Sequence, residues 1–415
     1  MRSAFKLGSA TLCAAISCAA FGDDVQDNPF FKDSTTSVLA RNFYFNRDFR
    51  DAAHTAQSYR GEWAQGFIGT FTSGFTPGTI GLGIDAIGLY GMKLDSSSDR
   101  INSGLLPSSG NHVPGVDHAA DDYSRAAVAV KIKVSKTVLK YGQQTLNLPV
   151  FSTGDSRLLP ETTEGFYLSS KEIDNLRVDV AHLTSLSTYN QSAHNAGAMT
   201  KADVVGATYN FTPNLTGALY ASEVEDLWKK KYAGLSWVKP IDAKQTFSTD
   251  FRFYNQKSIG AENGGVIDSN AFSIKGAYAY GPHKVTLAYQ AITGKNGYVF
   301  YTDGGNTDYL ANYVQYAEFT REDERSWQAR YDFNFAAFGL PGLDVFARYI
   351  KGSNITLANG TTNQNEWERD LEAAYVIQSG PLKDLSFRLR QATYRNSFNN
   401  DVDDVRFITQ YPINL

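Results

Sequence analysis

Over most of its length the chain alternates apolar and polar residues with a period of two. Trp327, Ala329, Tyr331 and Phe333 interleave with Gln328, Arg330 and Asp332. Val285, Leu287, Tyr289 and Ala291 interleave with Thr286, Ala288 and Gln290, and Leu176, Val178 and Val180 with Arg177, Asp179 and Ala181. Such segments are strands lying between an apolar and a polar environment. The pattern predicts strands near 37–46, 60–72, 81–95, 123–134, 136–143, 164–170, 173–183, 201–211 and 215–224. Nine more are predicted near 230–238, 244–255, 270–280, 283–292, 325–335, 343–351, 366–377, 384–394 and 403–412. Many have the ~9–11 residues that a tilted strand needs to cross a bilayer.

The links between strands alternate in length. Short ones include 212–214, 281–282 and 379–381, and long ones cover about 96–122, 144–163, 256–269 and 293–324. A soluble sandwich also alternates in polarity but has no reason for such one-sidedness. Hydrocarbon offers no partner to a free N–H or C=O, so spanning strands must close into a ring. The expected fold is therefore all-β: a transmembrane antiparallel β-barrel of 18 strands, with short periplasmic turns and long extracellular loops, some folded inward. Both chain ends then emerge on the short-turn side. A barrel of that size leaves an aqueous lumen, and Tyr278, Tyr280, Tyr331 and Phe333 are expected in its interfacial girdles.

Composition agrees with an apolar outside around a wet inside: aromatic content is 13%, yet mean hydropathy is −0.33. At the N-terminus, Arg2 and Lys6 precede an apolar stretch from Leu7 to Phe21, with small residues near Ala20 and Gly22. This reads as a cleaved signal peptide over 1–22, followed by one barrel domain over 23–415. Nothing after it is apolar for 18 residues or more, so spanning helices are not expected. Both cysteines, Cys13 and Cys18, fall in that segment, which leaves the mature chain without disulfides or thiolate chemistry. Losing Arg2 and Lys6 takes the formal charge from −4 to −6, a poor balance for nucleic-acid binding.

The clearest chemical constellation is the penultimate strand. Arg388 and Arg390 share one face while Phe387 and Leu389 take the other. Arg330 and Arg348 lie on neighbouring strands and Arg406 on the last. First and last strands pair in a barrel, so Arg41, Arg47 and Arg60 come round to the same wall. Arginines spaced along a wall can pass a carboxylate between several moderate sites. The alternative is that they solvate the lumen and pair with Asp332, Asp370 or Glu372. The loop over 144–163, folded inward, is expected to place Asp155, Ser156 and Arg157 at a constriction opposite that wall; the alternative is a surface loop. Asp117, His118, Asp121 and Asp122 match no calcium loop. No metal or cofactor is expected, and no Ser-His-Asp or paired-carboxylate arrangement supports an enzyme.

Several stretches resemble the OprD family of outer-membrane porins, the substrate-specific carboxylate channels of Gram-negative bacteria. They are Arg41-Asn42-Phe43-Tyr44-Phe45-Asn46-Arg47-Asp48-Phe49, Asp121-Asp122-Tyr123-Ser124-Arg125, Gly154-Asp155-Ser156-Arg157-Leu158-Leu159-Pro160 and Ser326-Trp327-Gln328-Ala329-Arg330-Tyr331-Asp332. Two more are Gln378-Ser379-Gly380-Pro381-Leu382-Lys383-Asp384-Leu385-Ser386-Phe387-Arg388 and the closing block from Arg406 to Tyr411-Pro412. The resemblance implies an eighteen-stranded monomer with a narrow eyelet, a weak trimer being the alternative state. It also implies that Arg47, Arg60, Arg388 and Arg390 are rungs of a lumenal basic ladder. Asp308 would be the acidic eyelet residue, and Arg125 and Arg157 positions used by the aromatic-carboxylate branch. One departure is Leu415, which stands where barrels tend to end in an aromatic residue. The expected function is passive, selective diffusion of aromatic or cyclic carboxylates, or of basic amino acids and small peptides, across the bacterial outer membrane. The alternative is a general diffusion porin. Expected partners are such solutes, outer-membrane lipid and lipopolysaccharide, and no nucleic acid.

Overall fold

The computed structural model describes residues 27–53, 56–109, 116–195, 199–300 and 310–415. The expected signal peptide and Asp308 lie outside the described residues. Eighteen antiparallel strands form one closed sheet. They are β1 (Thr35–Phe49), β2 (Tyr59–Thr72), β3 (Ile80–Asp95), β4 (Asp122–Val134), β5 (Thr137–Gln144), β6 (Thr162–Ser170), β7 (Leu176–Ser187), β8 (Ala202–Thr212) and β9 (Leu215–Val224). The ring continues through β10 (Trp228–Pro240), β11 (Gln245–Ser258), β12 (Asp268–Tyr280), β13 (His283–Lys295), β14 (Arg325–Asn334), β15 (Leu343–Ile355), β16 (Gln364–Val376), β17 (Ser386–Asn396) and β18 (Val402–Asn414). Closure comes from β1 pairing with β18, from Ser37 opposite Asn414 to Phe49 opposite Val402.

Alternation sets which way each side chain points. Along β4, Tyr123, Arg125, Ala127, Ala129 and Lys131 are buried while Val128, Val130 and Ile132 are exposed. The same parity leaves Leu219, Leu235, Ile274, Leu287, Leu371 and Leu389 on the outer surface. A continuous apolar band of this kind is untenable in water. Each such side chain gains roughly 1.5–3 kcal/mol on leaving water, so the band demands hydrocarbon around it. Tyr278, Tyr280 and Tyr331 stand exposed near the short-turn end, where a girdle is expected.

Two expectations need correction. The alternation of link length is not strict: only 225–227 joins β9 to β10 on the long-loop side, whereas 377–385 joins β16 to β17 on the short-turn side. The lumen, too, is not simply aqueous. Leu146, Leu148, Val150 and Phe151 pack on Leu183, Tyr220, Tyr232 and Tyr254 of the wall. Ile101, Leu105, Leu106, Leu158 and Leu159 pack on Phe43, Phe45, Ala64 and Leu89, and Ala317 and Phe319 on Ile350 and Tyr394. These inward loops carry enough apolar residues to leave water, and they narrow the passage to what their polar edges and the wall leave open.

Candidate functional site

Strand register places the predicted arginines in two adjacent rows. One row reads Arg330, Arg348, Asp370, Ala392, Asp404, Arg47 and Arg60 across β14, β15, β16, β17, β18, β1 and β2. The other, two residues nearer the short-turn end, reads Asp332, Phe346, Glu372, Arg390, Arg406, Phe45 and Glu62. Because strands in such barrels tilt by ~35–45°, these rows climb. Followed backward, the first passes Thr286, Ala277, Ser248 and Val238, close to the short-turn end of β10. Followed forward, it ends at Arg60, one residue from the long-loop end of β2. The arginines thus form a spiral stair that rises from Arg330, four residues from the short-turn end of β14, to the long-loop mouth at Arg60. Arg388 lies below them, two residues from the short-turn end of β17.

Most of these cations have a carboxylate beside them, as the solvation alternative foresaw. Arg330 meets Asp332 at 2.5 Å and Arg348 meets Asp370 at 2.6 Å. Glu372 lies 2.9 Å from Arg390 and 3.4 Å from Arg388. Asp404, fully buried, is shared by Arg406 at 2.8 Å and Arg47 at 2.9 Å. Two arginines differ. Arg60 has no ion pair among the described residues; it stacks on Phe49 and its buried Nε has no hydrogen-bond partner. Arg157 lies near the rings of Phe45 and Tyr189 at 5.6 and 5.5 Å and, among the described residues, donates only to the backbone and hydroxyl of Ser156, its buried Nε having no partner. Burial, with Arg406 and Arg47 nearby, lowers its guanidinium to about 10.

The loop from 145 to 161 folds inward as expected, but onto the arginine wall rather than opposite it. Asp155 forms a two-pronged pair with Arg41 of β1 at 2.6 and 3.0 Å, and Arg41 also donates to the Arg157 carbonyl at 2.8 Å. The reason is apolar: Leu158 and Leu159 are buried against β1–β3. Leu158 fits where Gly66 presents no side chain; a Cβ there would stand 3.1 Å from it. Arg125 is buried at the root of this loop, not at its tip. It donates to the carbonyls of Pro160, Thr188 and Gln191, so its fork ties two loops to β4. Glu161 closes the same loop by accepting from the Gly154 N–H at 2.7 Å, and burial lifts its carboxyl to about 7.

A second inward segment, 310–324, belongs to the long link over 293–324 and brings contacts to the arginines that the sequence pattern does not announce. Gln315 donates to Asp404 at 2.8 Å and accepts through its carbonyl from Arg406 at 2.8 Å. The Tyr316 ring lies 4.6 Å from the Arg47 guanidinium. Glu368 of β16 fixes the segment by accepting from the N–H groups of Tyr316 and Ala317. Neither Gln315 nor Tyr316 sits in an alternating pattern, so only a tertiary contact reveals them. Arg157 and Tyr316 therefore flank Arg47 over the floor made by Phe45, Asp404 and Arg406. Toward the short-turn end the stair opens into a cavity of about 530 Å³, lined in part by Arg330, Asp332, Glu372 and Arg388.

Comparison with known proteins agrees with the fold. The family model described as "outer membrane porin, OprD family" matches residues 28–415. Porin D of Pseudomonas aeruginosa is 38% identical, over 97% of this chain and 95% of the relative. Among solved structures, OccK9 (OpdG) of the same organism superposes with a TM-score of 0.88 at 38% identity, covering 93% of this chain and 100% of that one. OpdK of P. aeruginosa, solved with vanillate, superposes at 0.85 with 36% identity, covering 93% and 100%.

Proposed function

Because the chain belongs to the OprD family of substrate-specific outer-membrane porins, we propose that it conducts small carboxylate-bearing solutes along the arginine stair. Arg60 and Arg157 carry this reading. Among the described residues Arg60 has no ion pair and Arg157 donates only to Ser156, so each guanidinium keeps N–H groups beyond its buried Nε that a forked carboxylate can fill. The rings of Phe45, Tyr189 and Tyr316 around Arg47 and Arg157 favour a flat apolar body behind the carboxylate. The vanillate held by OpdK has that shape and charge.

Transport follows from moderate binding in series. Cations at the long-loop mouth draw the anion in, since a charged cleft raises local counter-ion concentration. It exchanges one forked partner for the next, and the carboxylates beside Arg47, Arg406, Arg390 and Arg348 keep any one step from becoming a trap. Asp155, Ser156, Arg157 and Tyr316 set the width, and Arg125 positions their loop. The stair delivers the solute to the vestibule at Arg388. The ring closes within one chain, so a monomer completes the pore, and residues 1–22 are the proposed export signal. The test is flux through the purified protein in liposomes, comparing an aromatic monocarboxylate with its neutral amide. Replacing Arg388→Gln and Arg390→Gln lowers carboxylate flux far more than amide flux. Equal loss of both, or no loss, overturns the stair in favour of a general diffusion pore.

A further inference from the structure

Outward-facing cations near the long-loop end mostly have a carboxylate neighbour. Lys201 pairs with Asp203 at 3.2 Å, Lys229 with Glu223 at 2.9 Å, Lys257 with Asp268 at 3.2 Å and Arg395 with Asp403 at 3.0 Å. On β14, β15 and β16 the exposed Arg325, Lys351 and Arg369 have no ion pair among the described residues. Arg369 donates to the Thr393 hydroxyl at 3.1 Å. Aspartate and glutamate are missing from every outward position of β13 to β16.

Register sets the three cations on one diagonal. Lys351 stands opposite Trp327 on one side and Trp367 on the other. Arg325 is two residues before Trp327, and Arg369 two residues after Trp367. Diagonal neighbours lie ~7–8 Å apart, within reach of long side chains. Each strand-to-strand step along a row climbs roughly 3 Å toward the long loops, while dropping two residues descends roughly 5 Å, given strand spacing, rise and tilt. The slopes oppose, so the three charges sit within about 4 Å of one height. Tyr289 packs on Trp327 at 4.4 Å and Tyr349 on Trp367 at 5.7 Å between centroids, which marks this height as a membrane interface.

We infer that Arg325, Lys351 and Arg369 form a docking site for the phosphate groups of a phosphorylated glycolipid in the outer leaflet, whose acyl chains lie against Tyr289, Trp327 and Tyr349 below. Three like charges at this spacing repel unless an anion sits among them, and the outward positions of β13 to β16 supply none. Two forked guanidiniums flanking an ammonium match phosphate oxygens. The position, on the lipid face rather than in the lumen, selects a lipid over a transported anion.

The test uses the purified protein in detergent with EDTA, titrated with diphosphorylated lipid A and with its dephosphorylated form, and read by native mass spectrometry. The wild-type chain is expected to retain the diphosphorylated lipid preferentially. The combined variant Arg325→Gln, Lys351→Gln and Arg369→Gln weakens it at least about tenfold, whereas Lys229→Gln with Lys257→Gln leaves it unchanged. Heat-modifiable gel mobility reports whether each barrel is closed; should the triple variant fail to close, Lys351→Glu alone carries the same expectation of weaker binding. Equal retention by wild type and variants, or no preference for the phosphorylated form, overturns the site.

Discussion

Two walls of the lumen both carry arginine, and they behave as opposites. On β6–β12, Arg177 gives its proton-rich edge to Asp179 at 3.0 Å, and the hydroxyls of Tyr167 and Tyr220 donate to the same carboxylate at 2.7 Å each. Asp250 accepts from Arg252 at 2.7 Å and from Ser236 at 2.8 Å, with Lys275 3.6 Å away. Those charges are answered within the protein. From β14 round to β2, one carboxylate often serves two guanidiniums, and Arg60 and Arg157 retain unanswered donors. The proposed route therefore rests not on abundance of arginine but on the wall where guanidiniums share or lack carboxylates.

The contrast can be broken or sharpened by experiment. The largest effect is expected from Asp404→Asn. It strips the shared partner from Arg47 and Arg406 in a buried site, a loss of ~3–5 kcal/mol to be read as an earlier unfolding midpoint in denaturant. Asp179→Asn, whose arginine is 42% exposed, is expected to cost clearly less; the reverse order would erase the distinction between the walls. Next comes function. Arg60→Gln combined with Arg157→Gln is expected to cut carboxylate flux about tenfold, or ~1.4 kcal/mol of binding per decade. Amide flux should change less than about twofold, and Arg252→Gln should leave both fluxes alone.

A smaller effect concerns pH. The Glu161 carboxyl titrates near 7 when folded, above its ordinary 4.5, because burial disfavours its charge. The folded loop therefore binds a proton more tightly than the unfolded chain, so protection of 153–161 against hydrogen exchange rises severalfold as pH falls from about 8 to about 5. The protonated group still accepts from Gly154, so Glu161→Gln should be well protected and flat across that range; a slope that survives the substitution would assign the effect elsewhere. The smallest effect is Asp155→Asn. Its side chain is 54% exposed, so the pair with Arg41 contributes at most ~1 kcal/mol. The expected sign is a noisier and slightly larger single-channel conductance.

Strands and their facing were legible because period two is a local property, and Arg330, Arg348 and Arg390 fall on the inward parity as read from their neighbours. Register was not legible: it depends on which residue meets which across eighteen seams, so the climb of the stair emerges only from the folded sheet. Loop placement was half legible. Gly154 to Pro160 signalled an ordered inward loop, but the side it leans on is decided by Leu158 and Leu159 against Phe43 and Phe45, a distant contact. Gln315 and Tyr316, in a segment without periodicity, left no local trace.

A path that ascends across six strand-to-strand seams of an eighteen-strand ring also sweeps through about a third of its circumference. On the proposed route, a permeant anchored by its carboxylate swings around the channel axis as it sinks, like a bolt following a thread. Short, compact molecules turn freely in that bore; a rigid rod with its charge at one end meets the far wall partway round. Were that route taken, screening by length and stiffness would follow from the shear of the sheet, independent of any side chain at the narrowest point.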